Sequence, residues 1–416
     1  MPLGLAASRF SEISTTHDTE ALLAPSPRPA PGPQFAMARP GLASLGLGLS
    51  AAVFMLAQMP SAWDQSGAQV SALLRLSAGG SIVFSLLLLV RSSEPHPKSK
   101  LARASIAWLV SMLFIGSLTG LMIGNSLTDI LSDITRITVS LVALYVGIRA
   151  PLIVLWRVVS VAVCALLVSD IVLAAIYVTL LRNEEIDRLT GGSVAVVAFS
   201  SIATLRLTGK ARIFWASMLA ISTLACLLSQ SRGYWIAYAV VVGVIFVRRG
   251  SAKRIITIIS TMFLVWTLVL PMLPGAQVLI YNRADGVAAD GSVEYRIGEV
   301  RASSFDEQGV VEVFVGGGAG ATYVAEDGSE QRQVHFTPAG VYYRFGLLGL
   351  TGFVVVAALS LRTAWRSRSS NTPAVQFAAA MVIGSLAVSL SVYVFVGSPL
   401  VFLSIGVLCR PELSSE

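Results

Sequence analysis

Residues 213–247 read IFWASMLAISTLACLLSQSRGYWIAYAVVVGVIFV, with Arg232 the one charged residue among them. Two apolar runs, 213–228 and 234–247, flank the polar bend Ser229-Gln230-Ser231-Arg232-Gly233. Beyond them lie the basic clusters Arg206, Lys210 and Arg212 on one side and Arg248, Arg249, Lys253 and Arg254 on the other. Apolar runs of this length, bounded by polar turns, are expected to be helices that cross a bilayer. A guanidinium turned toward lipid costs roughly 2.5–3.5 kcal/mol on insertion scales. Basic residues collect on the cytoplasmic side, and Arg232 falls on the side away from its basic neighbours. An anion outside the membrane is the partner that pattern calls for.

Composition extends the reading to the whole chain. Of 416 residues, 55% are hydrophobic and 13% charged, and the mean hydropathy is +0.74. Soluble domains carry about 25% charged residues. The expectation is an all-α polytopic membrane protein of about twelve transmembrane helices with one large extracytoplasmic loop. The net charge of +7 resides in short loops between apolar runs and is no nucleic-acid signature. Cys164, Cys226 and Cys409 fall inside apolar segments and read as small buried hydrophobes. No residue set has metal-ligand spacing, so neither a metal nor a cofactor is expected.

Residues 1–39 carry Pro25, Pro27, Pro29, Pro31 and Pro33 and no uninterrupted apolar run. They read as a disordered cytoplasmic tail, and Met37, directly before the first span, is a candidate translation start. Spans are expected at about 41–59, 70–90, 105–124, 136–150, 154–181, 194–206, 213–229, 234–247 and 255–273, which places nine helices within 40–273. The loop covers 274–340. Spans at 341–361, 374–392 and 397–409 and a short tail complete 341–416. With both termini cytoplasmic, 20 of the 30 basic residues and every lysine lie inside, and a miscount by one span breaks the pattern. The loop holds ten acids and no lysine, and its segment 293–305 has the mixed polarity of a helix lying on the membrane surface.

Candidate site residues gather on the outer side. Arginine suits an anion site because its planar fork binds phosphate oxygens in pairs and stays charged. Arg75 and Arg136 fall toward the outer half of their spans and with Arg232 would form an electropositive cavity; pairing of Asp170 with one of these arginines is an equal alternative. His335, in the loop just before the tenth span, can exchange protons near neutral pH. Gly316, Gly317, Gly318 and Gly320 allow close backbone approach or an anion nest of backbone N–H groups. No Lys-Ser/Thr follows them, which excludes a P-loop.

Several of these residues resemble the O-antigen ligase and polymerase family. Ser229-Gln230-Ser231-Arg232-Gly233-Tyr234-Trp235 at an outer-face turn is similar to that family's Ser-Arg-Gly motif. Tyr295-Arg296 resembles its loop arginine, and Phe314 to Gly320 its glycine-rich segment. His335 stands nine residues before Arg344 and eleven before Gly346, where Gly346-Leu347-Leu348-Gly349 continues the pattern. Phe336 and Arg344 depart from it, standing where the family typically has asparagine and an acid. The resemblance covers about residues 210–365. It implies a GT-C-like, metal-independent, inverting glycosyltransferase of the cytoplasmic membrane. A glycan on a polyprenyl diphosphate would be the donor, and a hydroxyl on a glycan, lipid or protein the acceptor. Catalytic roles would fall to Arg232, Arg296 and His335, with substrate contacts from Arg75, Arg136, Ser231, Gly316, Gly318, Gly320, Tyr342 and Arg344. The rival expectation is a twelve-helix transporter or a flippase of lipid-linked glycan.

The orientation has a direct check. A cysteine introduced at position 290 is expected to react with an impermeant thiol reagent in intact cells, or in spheroplasts where an outer membrane is present, and one at position 365 is not. The opposite labelling pattern contradicts the topology.

Overall fold

A helical hairpin opens the described part of the chain. The computed structural model describes residues 99–180, 194–228, 232–247, 298, 309–324, 330–331, 334, 336–390 and 398–410, with the side chains of 169–180, 224–225, 227–228, 232–234, 247 and 330 left aside. Of these residues, 85% are helical. In chain order the described elements are α1 (Lys100–Ile123), α2 (Leu127–Arg149), α3 (Leu152–Leu180), α4 (Val194–Arg206), α5 (Gly209–Leu228), α6 (Arg232–Val247), the short α7 (Val310–Val315), strands β1 (Tyr323–Val324) and β2 (Glu330–Gln331), α8 (Thr337–Ser367), α9 (Pro373–Ser389) and α10 (Pro399–Leu408).

Among the described residues, α1, α2 and α8 are long and apolar enough to cross a membrane, and shorter apolar helices pack beside them. Large apolar side chains stay exposed on their outer faces, Phe114 (76%) and Met122 (79%) on α1 and Val354 and Leu361 on α8. Contiguous apolar surface of this kind is suited to lipid and would be a liability in water. The protein is accordingly helical and membrane-embedded.

The core centres on α9. Fifteen of its 17 residues are buried, and a helix that is apolar all round belongs inside a bundle. α9 packs on α6, α8 and α10, and α10 in turn lies along α2. Gly147 and Gly406 face each other at the α2–α10 crossing: a Cβ at Gly406 would run into Leu144 O and lie 2.8 Å from Gly147 Cα. Small residues of this kind let two membrane helices come close enough for backbone contact. Arg410 closes the pair by donating from Nε to Gly147 O (3.0 Å) and from Nη2 to Gly147 O and Ala150 O. Those carbonyls end α2 without helical partners, so a cation there meets both their hydrogen-bonding need and the helix dipole. A second packing centre stacks Trp156 on Phe199 at 4.6 Å, with Trp215 edge-on to Phe199 at 4.9 Å.

The connection from α1 to α2 is set by Gly124. Its φ of 87° is a left-handed helix stop that glycine adopts at little steric cost. Asn125 N–H then donates back to Gly120 O at 2.9 Å, and α2 begins at Leu127. α2 therefore starts nine residues before the expected span at 136. Asp129, Asp133 and Arg136 depress the local hydropathy, yet Ile130, Asp133, Ile137, Ser140 and Leu144 share one buried helical stripe. The expected span 194–206 coincides with α4. The expected spans 41–59, 70–90 and 255–273 lie outside the described residues, as does the tail 1–39. Of the surface helix expected over 293–305, Gly298 alone is described.

Candidate functional site

Two cation–aromatic pairs mark one end of the bundle. The Arg368 guanidinium sits 3.9 Å from the Trp365 ring centre, and that of Arg149 sits 5.5 Å from Tyr145. Trp365 is exposed and Tyr145 partly so, and such pairs are characteristic of the membrane–water boundary. From Trp365 back along α8 to Gly346 is about 28 Å at 1.5 Å per residue. That is close to the ~30 Å hydrocarbon thickness of a bilayer. Gly346 therefore stands about one bilayer thickness from Trp365 along α8.

At that level α8 breaks. Gly346 has φ 59° and ψ −160°, outside helical geometry. In an unbroken helix the carbonyls of Tyr343 and Arg344 would be directed at the amides of Leu347 and Leu348. Here they accept from the glycine-rich turn, Gly317 N–H to Tyr343 O at 2.9 Å and Gly318 N–H to Arg344 O at 2.8 Å. The approach is so close that a Cβ on Gly346 would enter the Phe314 carbonyl group and the Val315 amide. The turn is wedged equally tightly against α1. Ala319 N–H donates to Gly116 O at 2.7 Å, and a Cβ on Gly318, at φ 78°, would collide with the Gly120 backbone. Asn125 finishes the seam by donating to Gly317 O at 2.8 Å and Ala319 O at 2.9 Å.

One carboxylate joins this seam to α2. Asp133, 2% exposed, accepts from Arg344 Nη1 at 3.0 and 3.1 Å and from Gly320 N–H at 2.9 Å. Arg136, three residues along the same helix face, places its guanidinium 3.8 Å from the carboxylate. Arg344 and Arg136 are 3% and 7% exposed. Two arginines about one aspartate leave a formal charge of +1 in these three side chains. Charge-assisted hydrogen bonds from buried donors of this kind are among the stronger polar contacts in proteins.

The expected site residues divide as follows. Arg136, Gly316, Gly318, Gly320 and Arg344 come together here, and Tyr342 stands half-buried on the adjoining turn of α8. Arg232 is the first residue of α6, and its side chain is outside the description, as is that of Asp170. His335, Arg296, Arg75 and Ser231 also lie outside the described residues. The glycines serve close backbone approach. An anion nest would need outward-facing amides, but those of Gly316 to Ala321 donate to Glu312 O, Tyr343 O, Arg344 O, Gly116 O, Asp133 Oδ2 and Gly318 O in turn. Arg344 likewise directs its guanidinium at Asp133.

Asp133 and Asn125 are absent from the sequence-derived set. The available signal was Asp129-x-x-x-Asp133-x-x-Arg136 at helical spacing, which puts an acid and a base on one face. A short satellite core extends the site toward α8. Tyr343 Oη donates to Thr322 O at 2.5 Å, its ring meets Tyr323 edge-on at 5.9 Å, and Val334 is 2% exposed against them. Val334 immediately precedes His335.

Neither the models of known protein families nor the curated proteins compared with this chain match it.

The wedge predicts unequal tolerance within the turn. Gly318→Ala combines left-handed strain of about 1–2 kcal/mol with collision against the Gly120 backbone. Gly317→Ala meets Ala321 Cβ at 3.0 Å and, at ordinary contact distance, Tyr343 O at 3.7 Å. Thermal unfolding in detergent, followed by tryptophan fluorescence, is expected to show a clearly lower Tm for Gly318→Ala than for Gly317→Ala. Equal Tm values contradict the wedge.

Proposed function

We propose that this chain is a membrane glycosyltransferase resembling the O-antigen ligase and polymerase family. In this reading it is a GT-C-like bundle of about twelve helices in the cytoplasmic membrane, with the glycine turn on the outer face. It moves a glycan from a polyprenyl diphosphate carrier to a hydroxyl on a glycan, lipid or protein. The observation that supports the reading best is convergence. The glycine-rich turn, Arg344 with Gly346-Leu347-Leu348-Gly349, and Arg136 meet in one seam at the break in α8, although Arg344 and its partner Asp133 are 211 residues apart.

The chemistry asks for fixed positive charge at that seam. The acceptor oxygen attacks the anomeric carbon while the bond to the diphosphate breaks, and the electron pair leaves with the carrier phosphate. Arg232 and Arg296 meet the charge that develops there, in a site that excludes water. The acceptor's proton passes to His335, which is suited to hold it near neutral pH. The buried Asp133–Arg344–turn assembly is scaffold for these groups, and Arg136 contributes positive potential to the donor phosphates.

The rival reading, a transporter or lipid flippase, draws on the broken helix at Gly346, because transporter sites are built on discontinuous helices near the midplane. The break in α8 stands about 28 Å from Trp365 at 1.5 Å per residue, about a full bilayer thickness, which supports a site at the boundary and so the transferase.

Purified protein given a polyprenyl-diphosphate-linked glycan in detergent is expected to release polyprenyl diphosphate and to keep doing so in EDTA; a flippase releases none. Arg232→Ala and Arg296→Ala are expected to lose transfer by about 10²-fold or more at unchanged membrane levels. Lysine at either position is expected to rescue poorly, since an ammonium lacks the paired fork. His335→Ala is expected to lower transfer by roughly 10²–10⁴-fold with donor binding retained. Wild-type activity in both Arg232→Lys and His335→Ala, at matched expression, removes these residues from the site.

A further inference from the structure

We propose that Asp133 is the positioning residue of the transfer site: its carboxylate sets the relative placement of the glycine turn, Arg136 and the segment that leads into α8. The inference rests on the transferase reading for its catalytic consequence, and on geometry alone for the placement.

Residues 317–322 and 343–344 behave as one body. Backbone bonds join Gly317 to Tyr343 and Gly318 to Arg344, and the Tyr343 hydroxyl adds a third bond to Thr322 O. Asp133 grips that body at two points, the Gly320 amide at 2.9 Å and the Arg344 guanidinium at 3.0 Å. The same carboxylate lies 3.8 Å from Arg136. One side chain of α2 therefore orients a cation on its own helix and fixes the turn against it. Val334, the residue before His335 in the sequence, packs with Tyr323 and Tyr343, so a shift of this body carries Val334 with it. Asp133 is 2% exposed and acts through these neighbours without touching substrate.

Aspartate suits the task on chemical grounds. A carboxylate only accepts, and here it accepts from two N–H donors and faces the Arg136 cation at 3.8 Å. Asparagine would turn an NH₂ toward one of those donors, leaving two donors face to face. Glutamate would keep the charge but move it by one methylene. Misplacement of about 1 Å at a reacting site lowers rate by up to about 10²-fold.

The test compares wild type, Asp133→Asn and Asp133→Glu in detergent, reading amide hydrogen exchange of residues 316–322 by mass spectrometry and steady-state transfer kinetics. In Asp133→Asn the turn amides are expected to exchange about tenfold faster, with kcat lower by about 10–100-fold and KM changed by less than about threefold. Asp133→Glu is expected to keep most of the turn's protection and still lose kcat, which also covers the case in which Asp133→Asn fails to fold. Unchanged exchange in Asp133→Asn overturns the tether. Faster exchange with wild-type kcat, wild-type kcat in Asp133→Glu, or a rise in KM alone overturns the positioning role. Absence of transfer by the wild type overturns the functional reading, and the exchange result then judges the tether by itself.

Discussion

A carboxylate held 2% exposed is the constraint around which the described structure is arranged. Left alone, such a charge is not tolerated, and removing one partner of a buried pair destabilises by about 3–5 kcal/mol. Asp133 is compensated by Arg344, by the Gly320 amide and by the neighbouring Arg136. The two hydrogen-bond donors come from different parts of the fold, so satisfying the charge and assembling α2, the glycine turn and α8 are one event. The break at Gly346 belongs to the same event: it frees the backbone acceptors that the turn requires and leaves Arg344 on the side of Asp133.

The division of labour among the arginines follows from their surroundings. Arg410 and Arg368 serve the opposite end of the bundle, the first on the closing carbonyls of α2 and the second on an exposed indole. Arg344 is committed to a carboxylate deep in the seam. In the proposed enzyme, Arg232 and Arg296 meet the leaving diphosphate, while Arg344 keeps the site's shape. This gives the departure at Arg344 from the family pattern a physical role. An arginine at that position is compatible with the fold because α2 supplies an acid at Asp133.

Among the described residues, the apolar helices were legible because hydropathy alone requires them. The 194–206 run is bounded by polar segments and matches α4; Pro373 and Pro399 stand at the starts of α9 and α10, where proline fits a first turn. The start of α2 was not legible. Its first turns carry Asp129, Asp133 and Arg136, which read as loop until their partners are known. The break in α8 was hidden as well, since Gly346-Leu347-Leu348-Gly349 has the composition of continuous helix, and only contact with Phe314 and Val315 requires the left-handed φ. The glycine-rich segment was readable as a place of close approach. That its amides point at Gly116, Tyr343, Arg344 and Asp133 depends on contacts across nearly two hundred residues or more in two of the four cases, and no local pattern carries such information.

The most direct test of the central claim is a double-mutant cycle on unfolding free energy in detergent, using Asp133→Ala, Arg344→Ala and the pair. A buried, charge-assisted contact predicts a coupling of about 2–3 kcal/mol, with the double variant far less damaged than the two single losses added together. Single losses that add to within about 0.5 kcal/mol would show that Asp133 and Arg344 act independently, and would contradict the account at its root.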